Sequence, residues 1–464
     1  MWGNGQSPVI SMKKTKYDLS QGDILQKLLL VALPLMATQF LQMAYNLTDI
    51  FWLGRMDHYS VAATGTAGLY IWLAASLLLI GRMGAEIGVS QSLGKKDPEA
   101  ARLFSQNAFR LSCILGLFSG LSLFFLAPAL IGFFNIQEPE VFYGSVTYLR
   151  VIAIGTPLTF LSAVISGTFS GSGNSRVPFF INGLGLVLNI ILSPLFIFTI
   201  GLGILGAAIA TVISQAVVMI LSLIAIRFSP MRPFADFRFS QKLHIDKVRQ
   251  IFRWSAPIAA DSALFTALAL VINRMVVSFG ADAIAIIRIG FQIEGLSWLI
   301  ASGFASALTA FVGQNYGAKR YDRIHQGVNL SFRLMFVWGI FAAILPWLIG
   351  RPLFAFFLPN PEILQGGVTF LRILSVAQIF ICLEFWAVGV FRGLGKTLPP
   401  TISAVTGNVL RIPLAYVLSQ TSLGVNGIWW SIVFGAIMRT TILIIWYQFH
   451  KRHMPIHAER STTS

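Results

Sequence analysis

The sequence predicts an all-α integral membrane protein: twelve transmembrane helices in two six-helix lobes related by internal duplication. Three observations carry this. Of 464 residues, 55% are hydrophobic and only 11% are charged, with a mean hydropathy of +0.73. A soluble domain carries about 25% charged residues, so this much apolar sequence cannot be hidden in a water-soluble core. Apolar runs of the length needed to cross a bilayer, about 20 residues, recur along the whole chain. The second half of the chain also repeats the first.

Between charged and turn-forming punctuation, the runs fall at roughly 24–53, 61–90, 105–134, 143–170, 178–200 and 204–228, then 250–279, 283–315, 327–357, 365–391, 398–420 and 424–449. Taken in order, the connections alternate in charge. Lys13, Lys14 and Lys16 precede the first run; Arg55 and Asp57 follow it. Lys95, Lys96 and Arg102 separate runs two and three, Glu138 and Glu140 runs three and four, and Arg176 runs four and five. The second half continues with Asp282, then Lys319, Arg320 and Arg323, then Arg351, then Lys396, and ends on Lys451, Arg452 and Arg460. Lys and Arg mark the cytoplasmic side, so both termini are expected there, as in a bacterial inner-membrane protein. The same placement explains the net charge of +16 without nucleic acid as a partner.

The stretch from Phe228 to Gln250 is the one long polar connection and carries Arg232, Arg238, Lys242, Lys247 and Arg249. The expected division is therefore a cytoplasmic N-terminal tail (1–23), an N-lobe (24–228), a cytoplasmic linker (229–249), a C-lobe (250–449) and a cytoplasmic C-terminal tail (450–464). The first apolar run has the polar lead "MKKTKYDLSQGD" and is too long for a cleaved signal peptide.

The halves match at near-constant spacing. Pro34 pairs with Pro257, "VSQSLGKKD" with "VGQNYGAKR", "EPEVFYGSVTYLR" with "NPEILQGGVTFLR", and "GTFSGSGNSRVP" with "GVFRGLGKTLPP". Such regularity is the signature of duplication. Six helices per half give both repeats the same orientation in the membrane, a plan used by transporters whose substrate site lies mid-membrane between lobes.

An ionisable side chain at the centre of a spanning helix costs about 2.5–3.5 kcal/mol on insertion scales, which makes each one a functional pointer. Asp49 lies in "YNLTDIFWLG", with no Lys or Arg nearer than Arg55. Its bland reading is a hydrated outer helix end or a pairing with Arg55, since the helix rises about 37 Å from Ile24 to that point. The second repeat has Ile272 or Met275 there, so the helix itself does not require the acid. Asn189 and Thr211 are further candidates; Asn189 aligns with Arg411. A buried Asn also serves to tie helices together. The C-lobe holds Asp261, Glu294 and Glu384 with Arg274, Arg288, Arg411 and Arg439, and buried acid–Arg pairs are the bland reading. Arg82 and Glu86, four apart, are expected to pair along one helix face.

The two cysteines, Cys113 and Cys382, sit in apolar segments and imply neither a disulfide nor a metal site. No P-loop, nucleophile elbow or acidic metal cluster is present, so no catalytic residue is assigned and an enzyme is not expected.

Across Ile24 to about Tyr447 the chain resembles the MATE (multidrug and toxic compound extrusion) family of transporters. The resemblance rests on "LPLMATQFLQMAYNLTDIFWLG", "GVSQSLGKKD", "FSGSGNSRVP", "LNIILSPLFIF" with "GLGILGAAIATVISQ", "VGQNYGAKRYDR" and "VFRGLGKTLPP". It implies two six-helix lobes and H+- or Na+-driven export of organic cations and drugs by alternating access. A family acid in helix one corresponds to Asp49, an Asn in helix five to Asn189 and a Thr in helix six to Thr211. A second helix-five acid found in some members is Ser193 here. Glu294 matches a helix-eight acid, while the usual acids of helices seven and ten fall near Phe265 and Ile381, about one turn from Asp261 and Glu384. The expected partners are small organic cations or drugs and membrane lipids, with a monomeric protein, no cofactor beyond the coupling ion, and no metal beyond a possible Na+ at Asp49. The alternatives are a flippase for lipid-linked saccharides, with the four C-lobe arginines holding a pyrophosphate, and a membrane-embedded transferase.

Overall fold

In the computed structural model, the structure describes residues 17–136, 138–229, 233–234, 238, 242–357 and 361–452. Most of both tails and part of the linker, including Lys13, Lys14, Lys16, Arg232 and Arg460, therefore lie outside the described residues.

The described chain forms twelve long helices: α1 (Ile24–Met56), α2 (His58–Gly94), α3 (Pro98–Gly132), α4 (Pro139–Gly171), α5 (Arg176–Pro194), α6 (Gly203–Arg227), α7 (Ile245–Val277), α8 (Ala281–Gly317), α9 (Tyr321–Phe357), α10 (Pro361–Gly393), α11 (Leu398–Ser419) and α12 (Val425–Arg452). All twelve are long and apolar enough to cross a membrane. The expected number and order hold, but several helices start earlier than their apolar runs. α3 begins at Pro98 rather than near 105, and α9 at Tyr321 rather than near 327. Polar first turns, invisible to an apolar window, extend the helices past the bilayer core. Asp97 caps α3 by accepting the Ala100 N–H, with Pro98 at the first helical position. Asp23 and Asp57 cap α1 and α2 in the same way.

α1–α6 pack among themselves, as do α7–α12, and the two groups meet chiefly through α1 and α2 against α7 and α8. The duplication is visible atom by atom. Gln91 Nε2 donates to the Gly393 carbonyl at 3.0 Å, and its repeat mate Gln314 donates to the Gly171 carbonyl at 3.1 Å. Lys96 and Lys319, also mates, both take positive φ, at 59° and 57°.

The hydrogen bonds between the groups start at the end of the bundle carrying the described chain termini and run halfway along it, to Gln39–Ser302 and Ser76–Ser262. The segment before α1 seals that end. Leu19 is fully buried; its N–H donates to Gln314 Oε1, and its carbonyl accepts from Asn315 Nδ2 and Arg323 Nε.

Pro34 lies inside α1, where it leaves one backbone acceptor without its helical donor. The Thr38 hydroxyl donates to the Pro34 carbonyl at 2.8 Å, a bond type that favours bending. Gly303 of α8 packs against the Met36 backbone beside it; a Cβ there would stand 2.6 Å from Met36 Cα. The bend point of α1 is thus in direct contact with the other lobe.

Candidate functional site

Asp49 stands seven residues before the end of α1, on the face turned toward α5 and α6. Ser193 Oγ donates to Asp49 Oδ1 at 3.5 Å, and Thr211 Oγ1 to Oδ2 at 3.4 Å. Asn189 Nδ2 donates to Thr211 Oγ1 at 3.4 Å, and its amide also reaches the Asp49 carboxylate. Asn189 and Ser193 are fully buried and Thr211 nearly so. One turn before the acid, the Tyr45 hydroxyl donates to the Thr211 carbonyl at 3.4 Å.

Local sequence explains this convergence. Asn189 and Ser193 are four apart, which places both on one face of α5. Pro194 follows immediately, and the chain passes into a five-residue π-helical segment, Leu195–Thr199. Widened turns of this kind occur often at functional sites. Gly206 lets α6 close against it; a Cβ there would stand 2.6 Å from the Phe196 carbonyl oxygen.

Pairing of Asp49 with Arg55 does not occur. The Arg55 guanidinium carbon lies 4.3 Å from the centre of the Phe51 ring, and the acid's hydrogen-bond partners are all neutral. Asn189 Oδ1 is buried with no hydrogen-bond partner. The site therefore assembles two carboxylate oxygens, two hydroxyls and one idle amide oxygen, a donor set suited to a hard cation or to a proton on the carboxylate. Ser193, legible in the sequence only as a missing acid, and Tyr45 both join this site. Their spacing of one helical turn from Asn189 and Asp49 is the signal that finds them.

The three C-lobe candidates do not form one group. Glu294 of α8 is paired with the amide of buried Gln378 on α10. Glu384 of α10 takes Arg439 Nε at 2.9 Å, and Arg439 Nη1 also donates to Asn408 Oδ1 at 3.0 Å. Asp261 of α7 feels the charges of Arg392, Glu384 and Arg439, and its Oδ1 is buried without a partner. Beside these acids stands an aromatic wall. The Trp298 ring lies 5.8 Å from Phe265 and 6.1 Å from Phe385, and it is 41% exposed. Arg274 and Arg288 are exposed whereas Arg411 and Arg439 are buried, so the four arginines do not share one environment.

Glu86 feels Arg82 on its own helix face, as expected, and adds partners from the other lobe. It is fully buried; its Oε1 accepts the Ser306 hydroxyl of the other lobe at 2.6 Å, and it feels both Arg82 of its own helix and Arg392 of α10. The acid bridges the lobes because α2 packs against α8 at this point, a tertiary fact that sequence spacing does not contain.

Among known proteins, a family model described as MatE matches residues 34–195 and again 257–417, so the duplicated unit is recognised twice. The chain is 28% identical over 438 residues to "Probable multidrug resistance protein NorM" of Thermotoga maritima, covering 92% of each chain. It is 26% identical over 377 residues to "FAD transporter" of Shewanella oneidensis, covering 78% of this chain and 81% of that one. Among solved structures, "Outward-facing conformation of a multidrug resistance MATE family transporter of the MOP superfamily" superposes with a TM-score of 0.86 at 23% identity, covering 96% of this chain and 100% of that one.

Proposed function

The chain belongs to the MatE family of membrane transporters, and from that premise we propose that it exports small organic cations and drugs in exchange for H+ or Na+. The observation that carries the proposal is the Asp49 carboxylate, set among Asn189, Thr211 and Ser193 with no guanidinium to neutralise it. An ionised carboxylate withdrawn from water without a cation is costly. Uptake of a proton or Na+ removes the charge and changes what α1 can pack against. Pro34 and the Thr38 back-bond supply the place where α1 bends, and Gly303 of α8 touches it there. Ion occupancy at Asp49 is thereby coupled to the lobe interface.

The ion drives transport only through unequal affinity for the two lobe arrangements. A membrane potential adds about 2.3 kcal/mol per charge per 100 mV, enough to bias the exchange. The substrate side is the C-lobe, where Glu294 offers a carboxylate near the exposed face of Trp298. Asp261 and Glu384 line the same lobe. The protein works as a monomer in the bacterial inner membrane, surrounded by lipid, with both termini in the cytoplasm. In that orientation, the sealed end around Leu19 is cytoplasmic and this conformation opens outward. The multidrug relatives support the drug reading.

The deciding experiment is ethidium efflux from proteoliposomes, with a pH gradient and a Na+ gradient imposed separately. Wild-type protein is expected to respond to one gradient, and Asp49→Asn to respond to neither while keeping its circular dichroism spectrum. Gradient-driven efflux by the Asn variant at the wild-type rate refutes the proposal.

A further inference from the structure

The repeat gives Asn189 and Arg411 the same place in their lobes. Gly206 closing on the Phe196 carbonyl and Gly427 closing on the Leu418 carbonyl confirm the superposition; a Cβ would meet those oxygens at 2.6 Å and 2.4 Å. Around Asn189 the N-lobe has built a site of oxygens. Around Arg411 the surroundings differ in kind. The counterpart of Ser193 is Ala415 and that of Thr211 is Ile432, both buried, while the counterpart of Asp49 is Ile272 or Met275. A guanidinium, always charged in proteins, thus occupies the place where the other lobe holds a neutral amide beside an acid.

Arg411 is 7% exposed, and its Nε is buried with no hydrogen-bond partner. The charged group it feels is another cation, Arg439. The two converge on Gly435: a Cβ there would have Arg411 Cδ and Arg439 Nη1 each at 3.6 Å. Gly407 gives Arg439 its room, since a Cβ at that position would stand 2.2 Å from Arg439 Cγ. Arg439 already holds Glu384. Asp261 and Glu86 have Arg392 and Arg82 beside them. Of the two buried arginines of the C-lobe, Arg439 has an acid beside it and Arg411 has none.

We infer that Arg411, flanked by Arg439 and Asn408 at Gly435, is a binding subsite for a single carboxylate on the exported molecule. The substrates it favours are zwitterions, organic ammonium compounds that also carry a carboxylate. A guanidinium offers paired N–H donors with the geometry of a carboxylate, and one uncompensated charge matches a monoanion better than a pyrophosphate. The ammonium of such a molecule has Glu294 as its partner in the same lobe. This inference rests on the export reading and narrows its substrates.

The test is equilibrium binding to purified full-length protein in lipid nanodiscs, without any ion gradient. Three probes are compared: norfloxacin, its methyl ester with the carboxylate masked, and ethidium. Wild type is expected to bind norfloxacin more tightly than the ester. Arg411→Met should weaken norfloxacin about tenfold or more, the loss of one charge-assisted contact, and leave the ester and ethidium within about twofold. Arg411→Lys should recover part of the loss. Gly435→Val keeps both charges but fills the space between them, and should also weaken norfloxacin selectively, which guards against a misfolded Arg411→Met. Norfloxacin bound no better than its ester, or equal losses for all three probes, would each overturn the inference. Because no gradient is used, these results stand even if the liposome export assay fails.

Discussion

Gly94 and Gln314, one from each lobe, touch backbone to backbone: a Cβ on Gly94 would stand 2.0 Å from the Gln314 carbonyl oxygen. Their repeat mates reproduce the contact with the partners exchanged, Gly317 against the Gln91 carbonyl, again at 2.0 Å. A duplicated chain has folded so that its two copies meet about a pseudo-twofold axis, and this reciprocal glycine contact flanks that axis. A side chain at either glycine must push the lobes apart. Gly94→Ala and Gly317→Ala should therefore penalise this conformation by about 1–3 kcal/mol, the range for overpacking. Spin labels on the exposed ends of α2 and α8 should report a longer distance and a larger population of the opposite arrangement. Unchanged distances in both variants would show that this contact does not set the conformational balance.

The neutral partners of Asp49 should matter in proportion to their hydrogen bonds. Thr211→Val removes the hydroxyl that donates to Asp49, and Asn189→Ala the amide that reaches both Thr211 and Asp49; a hydrogen bond from such a neutral group is worth about 0.5–1.5 kcal/mol. Each should therefore weaken ion-driven ethidium efflux by roughly 2- to 10-fold, and neither should abolish it as Asp49→Asn does. Measuring half-maximal activation by the coupling ion separates a weakened site from a misfolded one. Activation by the ion at unaltered concentration in both variants would remove Asn189 and Thr211 from the site.

Glu384 and Arg439 form a pair at 2.9 Å with side chains only 17% and 11% exposed. Removing one member leaves the other charged and buried, which costs about 3–5 kcal/mol. Glu384→Gln should lower the thermal midpoint in detergent markedly. The double substitution Glu384→Gln, Arg439→Met should recover much of the loss. A double variant no more stable than the single would mean that the pair is not what holds α10 to α12.

Glu294 behaves differently because its partner is the neutral amide of Gln378. Glu294→Gln should leave the thermal midpoint within a few degrees and reduce affinity for cationic drugs in a substrate-dependent way. Titration of ethidium and a bulkier dye by fluorescence polarisation checks this. Identical affinities for every cation tested would exclude Glu294 from the substrate surface.

The segment before α1 closes the terminal end of the bundle through Leu19, Gln314, Asn315 and Arg323. Gln314→Ala removes the acceptor for the Leu19 N–H and the inter-lobe bond to Gly171 together. Limited proteolysis within residues 17–23 should accelerate several-fold, following the rise in the locally open population. Cleavage at the wild-type rate would mean that Arg323 and Asn315 hold the segment without Gln314.

Local chemistry by itself determined a good deal about this protein. Apolar run lengths gave the helix number and the matched motifs gave the duplication, whereas the aspartate-capped starts of α2 and α3 lay outside the apolar runs. Asp49 stood out because an acid in an apolar helix is costly wherever that helix packs. Partner identity is a different kind of fact. Glu86 reads as the i, i+4 mate of Arg82 and does feel that charge, but its hydrogen bond goes to Ser306 and Arg392 also acts on it across the lobe interface. Asp261, Glu294 and Glu384 looked equivalent, yet one has a guanidinium, one an amide and one an idle oxygen. Only tertiary packing decided these assignments, because helix periodicity fixes which residues share a face and says nothing of which face arrives opposite.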